Sequence, residues 1–284
     1  MQTPTQQVLY LSNRTRLQSP WSQNISIDAF EQEWIAQQLA ELDKLPLPGS
    51  LAALKSALKA QIDAEHQAPH ESVSYVAECM TLDEFRTLVQ EFAVDGLTEA
   101  QVFYFVLPRL PLEAQMPLLR IMIDEFGSGN IKRAHTTLYI ELLNELGMPT
   151  SLGHYLDRVN PASFEFVNLF FWLTLRADDA SYFAGALTYL ETVIPAFFEC
   201  YASACRRLNI QAHAYYTEHQ HIDGFHAIEG QRLLAAMNAT GVLDAAKACL
   251  GARLASAVTD RAFRDAVAKA RGSAMASSPT EDCL

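Results

Sequence analysis

No stretch of this chain alternates apolar and polar residues for more than a few positions, so the sequence offers little from which a sheet could be built. Apolar residues recur instead at helical spacing, and start and stop signals cut that pattern into pieces. A first helix is expected from Asp28, with Glu31 three residues on as in a capping box, to about Leu45, where Pro46-Leu47-Pro48-Gly49 breaks it. Ser50 opens a second helix to about His66. Thr81 with Glu84 starts a third that ends at Asp95-Gly96, and Thr98 with Gln101 caps a fourth bearing Phe103, Phe105 and Val106. Pro111 begins a fifth ending near Phe126. After the break Gly127-Ser128-Gly129-Asn130 comes an amphipathic helix with Ile131, Leu138, Leu142 and Leu146 on its apolar face, stopped by Gly147 and Pro149. Two more follow over about 151–159 and 161–178. A long helix runs from about Ala180 to Leu208, with Pro195 expected to kink it. One or two alanine-rich closing helices span Val242 to Ala270. Residues 1–27 read as irregular and 273–284 as a disordered tail. With no repeat and no long polar linker, the expected architecture is all-α, a single helical bundle over residues 28–272.

Half of the 284 residues are hydrophobic, including 15 Phe and 10 Tyr, which is enough for one large core. A net charge of -12 argues against nucleic acid as a partner, because phosphate binding needs a basic face. The five cysteines are odd in number and form no CxxC, so they read as free thiols in a reducing compartment. Met1 to Thr5 shows no basic segment followed by an apolar one. The apolar run Phe166 to Leu175 is too short to span a bilayer and is interrupted by Asn168. These features lead us to expect a cytoplasmic protein with no membrane partner.

The chemistry concentrates in His219-Gln220-His221-Ile222-Asp223-Gly224-Phe225-His226. At about 100° per residue, positions i, i+4 and i+7 of a helix share one stripe, so His219, Asp223 and His226 project together and His221 points elsewhere. Two imidazoles and a carboxylate are a ligand set for iron, manganese or zinc. The plainer alternative is a solvated polar face, since Glu218 and Glu229 lie on the same helix. One helix would leave a metal half-coordinated, so polar groups inside other apolar helical stretches are the candidates to complete it. Glu191 lies within Leu187 to Pro195, where an unpaired carboxylate would be costly to bury. Glu125 and His135 flank the Gly-Ser-Gly break, and Glu99 stands at the start of the Phe-rich segment. Each also has an ordinary explanation as a helix-end charge or a half-buried histidine. Arg120, Lys132 and Arg133 read chiefly as surface charges.

The segment Asp124-Glu125-Phe126-Gly127-Ser128-Gly129-Asn130, then His135, then Leu138 to Gly147, resembles the signature of the heme-oxygenase-like diiron oxidases and oxygenases, also called the iron-containing redox enzyme family. A glutamate well downstream and His-x3-Asp-x2-His complete that pattern, here Glu191 and His219, Asp223 and His226. The resemblance covers about residues 80–240 and implies a heme-oxygenase-like bundle holding two irons without heme. Its ligands would be Glu99, Glu125, His135, Glu191, His219, Asp223 and His226, with no further catalytic residue implied. Glu91, on the preceding helix, remains an alternative to Glu99. The implied cofactors are two iron ions cycling between Fe(II) and Fe(III), with O2 as co-substrate. The implied partners are a small-molecule substrate and an external reductant, with a homodimer left open. Glu125 ten residues before His135 resembles a subgroup with an extra carboxylate, which includes enzymes that oxygenate amine or guanidine nitrogens. That implies N-oxygenation of an amino-acid-derived amine in natural-product biosynthesis. Desaturation or oxidative C–C cleavage of an amino or fatty acid, as in other relatives, is the alternative. A heme enzyme or a metal-free helical binding protein would leave most of the constellation unexplained.

Overall fold

The computed structural model of the chain describes residues 4–19, 22, 24–42 and 44–277, except for the side chains of Asp223 and residues 273–277. Helices form throughout, and no strand occurs among the described residues. In chain order they are α1 (Gln6–Gln18), α2 (Ile25–Leu42), α3 (Leu51–Gln67), α4 (Glu71–Glu78), α5 (Leu82–Gly96), α6 (Leu112–Glu125), α7 (His135–Glu145), α8 (Leu152–Tyr155), α9 (Pro161–Leu175), α10 (Ser181–Arg207), α11 (Ala214–Ala239) and α12 (Ala245–Ser277). Short 3₁₀ turns cover Gln101–Phe105, Leu107–Arg109, Gly127–Gly129 and Ile131–Arg133.

Several boundaries follow from local chemistry as expected. The Ser50 hydroxyl accepts the Ala53 N–H at the start of α3, and Thr81 with Glu84 forms a complete capping box at α5. Other boundaries do not. Thr98 caps no α-helix: its hydroxyl donates back to the Val94 carbonyl at 2.8 Å and so closes α5, leaving the Phe-rich stretch as 3₁₀ turns. Ile131 lies in a turn before α7 and is 74% exposed, so it is not part of that helix's apolar face. Helix α10 continues through Pro195, and the closing segment is one helix, α12, reaching Ser277. The remainder of the expected tail, residues 278–284, lies outside the described residues.

The clearest correction concerns residues 1–27, which carry helix α1, capped by the Thr5 hydroxyl accepting from the Val8 N–H. Tertiary contacts make this helix. Asn168, the polar residue inside the apolar run of α9, is fully buried and donates to the Gln6 carbonyl at 2.8 Å, and the Asn13 side chain donates to it at 3.1 Å. Arg176 then ties Asn13 to the buried Glu31 of α2. Asp28 pairs with Arg16 of α1. Both acids of the expected α2 capping box therefore serve cross-helix ion pairs, and α2 begins earlier, at Ile25.

The centre of the bundle is α10, packed between α11 and α12. From Ser181 to Glu191 every residue of α10 is buried. Its crossing with α12 is unusually close. A Cβ on Gly185 would lie 1.8 Å from the Ala248 carbonyl oxygen, and one on Gly251 would lie 1.9 Å from the Tyr182 carbonyl oxygen. The two glycines thus form a reciprocal contact that lets the backbones touch. No described helix is long and apolar enough to cross a membrane.

Candidate metal centre

Five segments, the turn after α5 and helices α6, α7, α10 and α11, bring buried or half-buried acids and imidazoles to one place. Glu99 comes from the turn after α5, which Thr98 fastens and where Ala100 adopts a left-handed conformation. Glu125 is the last residue of α6. Gly127, Ser128 and Gly129 then all have positive φ and fold the chain back on itself, so tightly that a Cβ on Gly127 would meet the Ala134 nitrogen at 2.6 Å. That reversal sets His135, the first residue of α7, beside Glu125, with Nδ1 2.8 Å from Glu125 Oε2. Glu191 projects from the buried half of α10. His219 and His226 project from α11 and are 4% and 1% exposed, while His221 is exposed, as the helical phase requires. The Asp223 side chain lies outside the described residues, although its backbone is within α11.

The ligand atoms fall into two overlapping groups, each with its atoms within 4.8 Å of one another. Glu99, Glu125, His135 and His219 form one, and Glu125, Glu191 and His226 form the other. Glu125 belongs to both. His219 Nε2 lies 3.1 Å from Glu99 Oε1, and His226 Nδ1 lies 3.1 Å from Glu191 Oε2 and 3.7 Å from Glu125 Oε1. On the other side of the His219 ring, Nδ1 sits 2.6 Å from the Tyr215 carbonyl and must donate to it. That fixes the tautomer and leaves the Nε2 lone pair directed at the cluster, the arrangement expected of a metal-ligating imidazole.

Glu91, the alternative to Glu99, is used elsewhere. It is fully buried, accepts the Asn160 N–H at 2.7 Å and the Ser163 hydroxyl at 2.8 Å, and pairs with Lys269. Arg120 and Arg133 form half-exposed ion pairs with Glu229 and Glu218 on α11, and Lys132 is exposed.

The donor set fits a cation. Among the described residues, Glu99 Oε2, Glu125 Oε2 and His135 Nδ1 are buried with no aligned hydrogen bond, although the last two are in contact. Leaving such atoms unmatched costs about 1–3 kcal/mol each, and positive charge at their common focus relieves it. Burial pushes the Glu125 carboxyl up, but His135, His219 and His226 outweigh it and hold the group down to about 2. It therefore stays ionised and available for ligation.

Two acids beside this cluster, Asp124 and Asp95, are not among the site residues expected from the sequence. Asp124 Oδ2 lies 3.4 Å from His226 Nε2, where it can orient that ring. Asp95 stands one turn before Glu99 and lines the adjoining cavity. Burial, and then the charge of Glu99, push its carboxyl well above the usual carboxylate range. The i, i+4 spacing of Asp95 and Glu99 was a signal, obscured because Asp95 reads as a helix stop. The cavity is lined by Glu99, Glu125, Glu191 and His219, by many aromatic and aliphatic side chains, and by Arg14 and Leu17 of α1. Phe198 meets the His219 ring edge-on at 5.1 Å between centroids, and Tyr215 meets it at 4.8 Å, so apolar surface shields the imidazole from water.

Comparison with known proteins identifies relatives of this chain. A nitrosourea synthase from Streptomyces achromogenes subsp. streptozoticus is 27% identical to the chain over 205 residues, which is 68% of this chain and 38% of that protein's length. The chain thus spans well under half of that relative. Residues 86–260, more than half of the chain, match the family of iron-containing redox enzymes. This span includes the Glu99 turn, the Gly-Ser-Gly reversal and all of the His219 helix, and the chain belongs to that family.

Proposed function

We propose that this protein is a non-heme diiron, O2-dependent oxygenase that N-oxygenates an amino-acid-derived amine. The observation that carries the reading is the pair of overlapping ligand groups with Glu125 in both, residues that would hold two metal ions close together. Glu99, His135 and His219 would complete one position, and Glu191, Asp223 and His226 the other. Four carboxylates balance two divalent ions, and neutral imidazoles supply the remaining donors. Two ferrous ions held there supply the electrons that make O2 reactive toward an electron-rich nitrogen or a C–H bond. The protein's own part is positional. The Tyr215 carbonyl holds His219 in the ligating tautomer, Asp124 orients His226, and Phe198 with Tyr215 keeps water from the His219 side.

The nitrosourea synthase relative is named for a product class that carries an oxygenated nitrogen, and this favours N-oxygenation. The largely apolar cavity wall favours a second reading, desaturation or oxidative C–C cleavage of a substrate with a hydrocarbon body. Anaerobic titration with ferrous iron tests the centre: about two ions per chain are expected, and a limit of one ion or the Soret band of bound heme would refute it. Turnover under ¹⁸O₂ separates the reactions. Label on nitrogen supports N-oxygenation, whereas an alkene or shortened carbon skeleton without labelled nitrogen establishes the second reading.

A further inference from the structure

The cavity lining carries charge of both signs: its acids are Asp95, Glu99, Glu125 and Glu191, and the only Lys or Arg among the described lining residues is Arg14 of α1. Much of the remaining wall is hydrocarbon, including Phe92, Phe103, Phe166, Phe170, Ile194 and Phe197. Arg14 is half-buried, and no described carboxylate lies within ion-pair distance of it. Among the described residues its one side-chain hydrogen bond is Nη1 donating to Gln101 Oε1 at 2.8 Å, which holds the guanidinium against the turn that follows Glu99. A guanidinium has five N–H donors in a planar fork that matches a carboxylate, so most of its capacity remains for a ligand. Arg14 lies before residues 86–260, the span matched by the family.

We propose that Arg14 is the carboxylate anchor of the substrate site. The substrate is then a carboxylic acid with an aryl or alkyl body, held with its carboxylate at α1 and its reacting end at the acidic cluster. The orientation follows from charge, because Arg14 is the one described cation of the lining left to attract a carboxylate, while the cluster acids are engaged by iron when it is bound. The aromatic wall takes the body at little cost in polar desolvation. This inference rests on the diiron reading for the identity of the reacting end, and not for the anchor itself.

The test uses the full chain loaded anaerobically with ferrous iron, with 4-phenylbutanoate and its neutral amide, 4-phenylbutanamide, as probes in isothermal titration. The wild type is expected to prefer the carboxylate. Arg14→Gln should weaken carboxylate binding by about ten- to hundredfold, the range of a charge-assisted hydrogen-bonded pair, and leave amide binding unchanged. Arg14→Lys should fall between, since an ammonium keeps the charge without the fork. Arg14→Met, which keeps the apolar stem, repeats the test if Arg14→Gln does not fold. Equal carboxylate affinity in wild type and variant, no preference for the anion, or no binding of either probe would overturn the proposal. Iron stoichiometry is read in the same samples. Two irons without anion discrimination reject the anchor alone, and anion discrimination without two irons rejects the diiron centre alone.

Discussion

Glu91 and Glu99 are the two acids between which the sequence alone does not choose, and they should fail in opposite ways. Glu91→Ala removes a fully buried carboxylate and strands the Asn160 N–H, the Ser163 hydroxyl and the Lys269 ammonium. Breaking a buried pair in this way costs about 3–5 kcal/mol. Lys269 keeps 29% of its side chain exposed, so water takes over part of its solvation and the lower value, about 3 kcal/mol, applies. For a domain of this size, each kcal/mol shifts Tm by roughly 2–4 °C, so Glu91→Ala should melt about 6–12 °C below wild type. The folded fraction should still bind iron at the wild-type ratio. Glu99→Ala should do the reverse. Its Oε2 has no hydrogen bond among the described residues, and its charge is one of the causes that push Asp95 up, so removing it costs the metal-free protein little stability. Iron binding should fall. Scanning calorimetry of the metal-free proteins with parallel ferrous titration reads both effects. If Glu91→Ala melts with the wild type while losing iron, the assignment of Glu91 to structure and Glu99 to the centre is refuted.

On α11, His219→Ala, Asp223→Ala and His226→Ala should each lower iron content and abolish turnover, while the exposed His221→Ala should match wild type. Equal damage from His221→Ala in a metal analysis would undo the one-stripe argument. Because the Glu125 carboxyl is held at about 2, below its ordinary 4.5, its contribution to metal-free stability is complete above about pH 4.5 and is lost as pH falls toward 2. The Tm gap between wild type and Glu125→Gln should therefore narrow across that window, and a gap that widens on acidification would contradict the sign. Gly185→Ala should destabilise by about 1–3 kcal/mol or more through the clash with the Ala248 carbonyl, and denaturant midpoints unchanged from wild type would show that α10 and α12 can part freely.

What the sequence determined by itself is what depends on short-range spacing. Helical period excludes a sheet, and i, i+4, i+7 places His219 and His226 on one buried face with His221 outside it. The Thr81 and Glu84 capping box and the Ser50 cap were legible for the same reason, since each bond spans only three residues. The resemblance also identified Glu125, His135 and Glu191 as a set, and the fold brings them together. The rest required partners distant in the chain. Helix α1 looks irregular because its apolar face is sparse, and it is fixed by Asn168 and Arg176, more than 150 residues away. Asp28 and Glu31 look like a cap until Arg16 and Arg176 claim them. Glu91 and Glu99 are chemically alike, and only packing sends one to Lys269 and the other to His219. Arg14 acquires meaning only once α1 brings it into the cavity lining. Local pattern sets how each segment folds, whereas the fate of a charged side chain depends on which opposite charge the tertiary packing brings within reach, and that distance is not written in residue spacing.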